Sequence, residues 1–151
     1  MRMTFAIFGS LIVWATASAV QAQAPAAQPT SPIVLVVGCA ERGATPHVWR
    51  LSNVGERVVT PQPSISEEEQ AAASGRPMGG EMYELVGVAD FVAPDLSLQI
   101  GDRGDILTNE RANTTGALVQ GHKVAVKGLY ISGTPARINV TSVVQLAPTC
   151  P

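Results

Sequence analysis

The residues best suited to chemistry in this chain are carboxylates, cysteines and a few soft ligands, and they are dispersed. Asp90, Asp95, Asp102, Asp105 and Glu110 fall within one stretch, with Gly101-Asp-Arg-Gly-Asp105 at its centre. Clustered carboxylates supply the hard oxygen ligands that calcium prefers, and Asp95, Asp102 and Asp105 are the candidate ligands here. Their spacing departs from the EF-hand loop, so a solvated acidic loop is the simpler account of them. His47, His122, Met78 and Met82 are the imidazoles and thioethers that would suit copper, but two distant histidines and one methionine pair do not compose a site. Met82 reads instead as a cap on the core, and both histidines read as surface groups. No nucleophile elbow, H-E-x-x-H or phosphate-binding glycine loop is present, and no catalytic residue is nominated. The expectation is a non-enzymatic chain without a cofactor, with calcium at the acidic loop as the alternative.

Cys39 and Cys150 stand near the two ends of the region that reads as folded. They lack the C-x-x-C spacing of a redox pair, and in an exported chain an even count indicates a disulfide. Export itself is read from the N-terminus. Arg2 is followed by the apolar run Phe5 to Trp14 and then by small residues ending Val20-Gln-Ala22-Gln-Ala24. That is the pattern of a signal peptide over residues 1–24, cleaved after Ala22 or Ala24. The apolar run is shorter than the ~20 residues that span a bilayer, so no membrane anchor is expected after cleavage. The location implied is periplasmic or secreted.

Residues 25–32, rich in proline, alanine and small polar groups, read as a flexible lead-in. Residues 33–151 then form one domain, long enough for a modest core. The formal charge is −2, and losing Arg2 with the leader makes it more negative. Such a balance opposes binding to a phosphate backbone, so nucleic acid is not an expected partner. A protein or an envelope component is.

The elements that must position these groups are strands. β-branched residues alternate or saturate in short runs bounded by turn residues, predicting strands at 33–40, 47–52, 82–87, 123–131 and 137–146. The period of two turns Trp49 and Leu51 inward and Arg50 outward, and turns Tyr83 and Leu85 inward. It also sets Val124 and Val126 against Lys123 and Lys127. Gly38 and Gly128 read as bends, and the turn at Ser132-Gly-Thr-Pro135 makes a hairpin of the last two strands. Ser66 and Glu69 form a capping box for a helix ending at Gly75, whose apolar content is only alanine, so it reads as exposed. One further helical turn is expected at 116–121. Two long excursions, 58–81 and 89–115, are where contacts particular to this protein would be sought.

Five strands with the longest gap between the third and fourth give the layout of a small five-stranded OB-like Greek-key barrel, mainly all-β. The string Gly38-Cys39, Trp49-Arg50-Leu51, Tyr83-Glu84-Leu85-Val86-Gly87, Gly121-His122-Lys123-Val124-Ala125-Val126-Lys127-Gly128, Val140-Thr141-Ser142-Val143 and Thr149-Cys150 resembles small exported bacterial proteins of OB-like architecture, a group of unknown function. The two long loops depart from that pattern. The resemblance implies a periplasmic or secreted setting and carries over no catalytic residue. A barrel of this type suggests a binding or envelope-associated module. Oligosaccharide binding through Trp49 and Tyr83 is a further alternative, although their apolar phase favours core packing.

Overall fold

A computed structural model describes residues 31–45, 48–96 and 115–151. Its elements in chain order are β1 (Ile33–Arg42), β2 (Trp49–Val54), β3 (Val58–Val59), α1 (Glu67–Ser74), β4 (Glu81–Val86), β5 (Lys123–Ile131) and β6 (Arg137–Ala147), with a single 3₁₀ turn at Val88–Asp90. The signal peptide and most of the lead-in expected from the sequence lie outside the described residues. Among the described residues no helix is long and apolar enough to cross a membrane.

The strands form one sheet in the order β2-β4-β6-β5-β1-β3, and an additional β1–β2 pairing closes five of them into a ring. All pairings are antiparallel except β4 with β6, which run parallel. β1 serves three partners because it is long. Its first seven residues pair β5, Val34 and Leu35 also pair the two-residue β3, and its last four residues pair β2. The β5–β6 hairpin forms as the turn chemistry predicts.

Alternation places one apolar side of each strand inside the ring. Val34, Val36, Trp49, Leu51, Tyr83, Leu85, Val124, Val126 and Ile138 are buried together there, as their phase requires. Gly128 lies at a register shift between β5 and β6, and a Cβ at that position would sit 2.2 Å from the Asn139 carbonyl oxygen. The two strands therefore approach more closely than a side chain permits.

Two expectations are corrected. Residues 116–121 do not form a helical turn: Gly116 and Gly121 have φ of 61° and 82°, outside the right-handed helical region. Met82 does not cap the core but is 53% exposed on the outer side of β4, because it is out of phase with Tyr83 and Leu85.

The excursion from 58 to 81 is built into the fold. Its helix has the capping box read from the sequence, with the Ser66 side chain accepting from the Glu69 amide at 3.2 Å and the Glu69 carboxylate accepting from the Ser66 amide at 2.9 Å. α1 is not simply exposed. Ala73 is fully buried against Leu35, Val37 and Ala125 on the outer side of β1 and β5, where Ile65, Met78 and Leu146 complete a second small core.

Candidate functional site

Cys39, near the end of β1, and Cys150 form a disulfide with Cα atoms 5.6 Å apart across a sequence separation of 111. It ties the C-terminal segment to the ring, and no free cysteine remains.

The outward lysines of β5 hold the 58–81 excursion in place. Lys127 is fully buried, and its ammonium donates to both carboxylate oxygens of Glu69 at 2.7 Å and to the Ser64 carbonyl at 2.8 Å. Glu69 also accepts from the Thr60 hydroxyl at 3.2 Å. The Lys127 hydrogen bonds, followed by the Ser66 amide, hold the Glu69 carboxyl down to about 2 from an ordinary 4.5. Lys123 donates to the Ser74 carbonyl at 3.1 Å, satisfying an end of α1 that carries no basic residue of its own. Thr141 and Ser142 of β6 complete the attachment, bonding the Pro63 carbonyl at 2.6 Å and the Ile65 amide at 3.3 Å.

Trp49 and Tyr83 lie in the interior, 1% and 3% exposed. Both belong to the core cluster rather than to an open ligand surface. The indole Nε1 of Trp49 has no acceptor among the described residues. Trp49 also forms part of the wall of a 220 Å³ cavity with Arg42, Leu96 and Leu118. The Tyr83 hydroxyl donates to the Glu81 carboxylate and accepts from Arg57 at 3.3 Å. Burial, aided by Glu81, pushes its phenol up. Arg57 also stacks over Tyr130, 4.3 Å from the ring centroid, and Tyr130 meets Tyr83 edge to face. This group links β4 and β5 to the residues that follow β2.

Asp95 is exposed. Asp102, Asp105 and His47 lie outside the described residues, and among the described residues no three His, Cys, Asp or Glu groups converge on a metal position. His122 is only half-exposed, and its carbonyl accepts from the Ala40 amide at 3.0 Å.

The opposite outer side of the ring carries a feature that sequence inspection missed. Glu41 of β1 faces Arg50 of β2, Arg50 faces Glu84 of β4, and Glu84 faces Arg137 of β6. Directly paired residues share a face, so these four form one row of alternating charge across four strands. Glu41 accepts a hydrogen bond from the Ser52 hydroxyl, whereas among the described residues Arg50, Glu84 and Arg137 enter no ion pair. Exposed Met82 lies to one side of the row, and half-buried Val86 and Val48 lie to the other. No described element packs over this face, while α1 covers the outer side of β1 and β5. The β5–β6 loop borders it, its Ala136 carbonyl accepting from the Glu84 amide at 3.0 Å. Only strand register aligns the four charges, so spacing along the sequence gives no sign of them.

In comparisons with known proteins, no family model, no curated protein and no solved structure matches this chain.

Proposed function

We propose that the chain is an exported, non-enzymatic binding or envelope-associated module, an OB-like barrel whose ring supplies rigidity and whose outer β2–β4 face supplies the contacts. The ring order β1-β2-β4-β6-β5, with hairpins β1–β2 and β5–β6 and the parallel β4–β6 closure, supports the Greek-key barrel reading. Barrels of this class recognise ligands over their second and third strands and the loops beside them. Here those strands are β2 and β4, flanked by residues 43–45 and 132–136.

The observation that carries the proposal is the difference between the two outer sides. One is covered by α1 and tied down by Lys123 and Lys127; the other presents a charged row with an exposed methionine. The groups with displaced titration support a structural rather than catalytic use, since Glu69, Tyr83 and Arg57 all engage partners that hold elements together. Each arginine of the row stands beside a carboxylate, which opposes a phosphate polymer and suits a partner of mixed charge. The disulfide and the leader support export.

The test is to titrate isotope-labelled protein with soluble fragments of the cell envelope while observing backbone amides. The expected result is shifts concentrated at Arg50, Met82 and Glu84. Shifts confined to α1, or none with any fragment, would contradict the proposal.

A further inference from the structure

We infer that the β2–β4 face pairs with the same face of a second copy of this chain, about a two-fold axis that runs along the strands midway between β2 and β4. The inference rests on the reading of this face as the contact surface. Across the four strands the charges run Glu41, Arg50, Glu84, Arg137, that is minus, plus, minus, plus. Rotation about an axis along the strands reverses this order in the facing copy. Glu41 then meets Arg137, and Arg50 meets Glu84, in both directions.

All four juxtapositions are opposite in sign. An axis running across the strands would instead set each group against its own copy, Arg50 on Arg50 and Glu84 on Glu84. The charge order therefore selects a single orientation, as an isologous interface requires. Spacing suits the central pair best, because Arg50 and Glu84 sit on adjacent strands ~4.8 Å apart in both copies, while Glu41 and Arg137 lie further round the ring and meet at the flanks of the contact.

The same axis brings the exposed Met82 of each copy to the centre, beside its counterpart and over Ser52 of the facing β2. The two methionines add apolar burial next to the charged row, close to the axis. With so much of the contact exposed and charged, association should weaken as salt rises.

Sedimentation equilibrium of the mature chain at low ionic strength tests this. The wild type should dimerise, and added salt should shift it towards monomer. Arg50→Glu and Glu84→Arg should each be monomeric, because each sets like charges together twice across the axis. Arg50→Glu combined with Glu84→Arg restores every opposite pairing and should dimerise again. An equimolar mixture of the two single variants should form a heterodimer, since their rows complement each other at all four positions. Should charge reversal unfold the chain, as far-UV circular dichroism would reveal, Met82→Glu leaves the row intact and should likewise abolish the dimer. A wild type that stays monomeric, an Arg50→Glu or Met82→Glu chain that dimerises normally, or single variants that ignore each other would overturn the inference. A monomer whose β2–β4 amides still shift with envelope fragments would overturn this inference alone and leave the binding-module proposal standing.

Discussion

Removing the Glu69 carboxylate should destabilise the protein more than removing the Lys127 ammonium, although both substitutions delete the same ion pair. The asymmetry comes from burial. Lys127 has no exposed side-chain surface, whereas the Glu69 side chain is 30% exposed. Glu69→Gln strands an ammonium whose remaining charge-compensating contact is the Ser64 carbonyl at 2.8 Å. An uncompensated buried charge costs about 3–5 kcal/mol, and the nearby exposure points to the lower end, about 3. Lys127→Met leaves a carboxylate that keeps the Ser66 amide, the Thr60 hydroxyl and contact with water. Its cost should be about 1–2 kcal/mol, that of a lost charge-assisted hydrogen bond partly offset by the buried methionine. The double variant should cost less than the two singles together, by about 1–3 kcal/mol of coupling.

Urea unfolding measures this conveniently. In a chain that starts at Gln23 or Pro25, Trp49 is the one tryptophan. With a slope of about 1.5 kcal/mol/M for a domain of this size, the Glu69→Gln midpoint should fall by about 2 M. The pair also has a pH signature. The folded Glu69 carboxyl is held at about 2 against an ordinary 4.5, so its contribution is fully present above pH 4.5 and is lost as pH falls towards 2. Glu69→Gln should lack that component of the acid sensitivity. If Glu69→Gln costs no more than Lys127→Met, or if the two costs simply add, the buried pair does not anchor α1 as argued.

Reduction of the Cys39–Cys150 bridge, or its replacement by serines, should cost about 2–5 kcal/mol, because the bridge closes nearly the whole folded chain; thermal unfolding with and without reductant checks this. Gly128→Ala should lower stability by about 1–3 kcal/mol or more, since its Cβ would lie 2.2 Å from the Asn139 carbonyl oxygen and β5 and β6 would have to part. Chemical denaturation measures the loss, and an unchanged midpoint would mean that the close approach is absent.

Much of the fold could be read in the sequence because alternation is a local signal. Val124, Val126 and the two flanking lysines reveal their faces from five residues of text, and Trp49, Leu51, Tyr83 and Leu85 do the same. β3 was missed because two residues carry no period; it exists only because the first half of β1 offers a free edge. The parallel β4–β6 pairing depends on contacts more than 50 residues apart in sequence, which no local pattern encodes.

The capping box marks where α1 begins, yet its alanines give no hint that it is docked. What docks it is Lys127, whose outward phase is legible but whose burial requires Glu69 to arrive from 58 residues earlier. The charged row is hidden for a related reason. Glu41, Arg50, Glu84 and Arg137 are separated by 9, 34 and 53 residues and meet only through register. The cysteines lie at the other extreme, since two cysteines have one possible intramolecular pairing.

The central claim, an exported and disulfide-closed module that works through noncovalent contacts, is tested most directly by a native mass spectrum of the protein recovered from its own exported fraction. The expected result is a chain that begins at Gln23 or Pro25, two hydrogens lighter than the reduced form, alone or as a noncovalent dimer. A retained leader, two free thiols or a tightly held cofactor would contradict the claim.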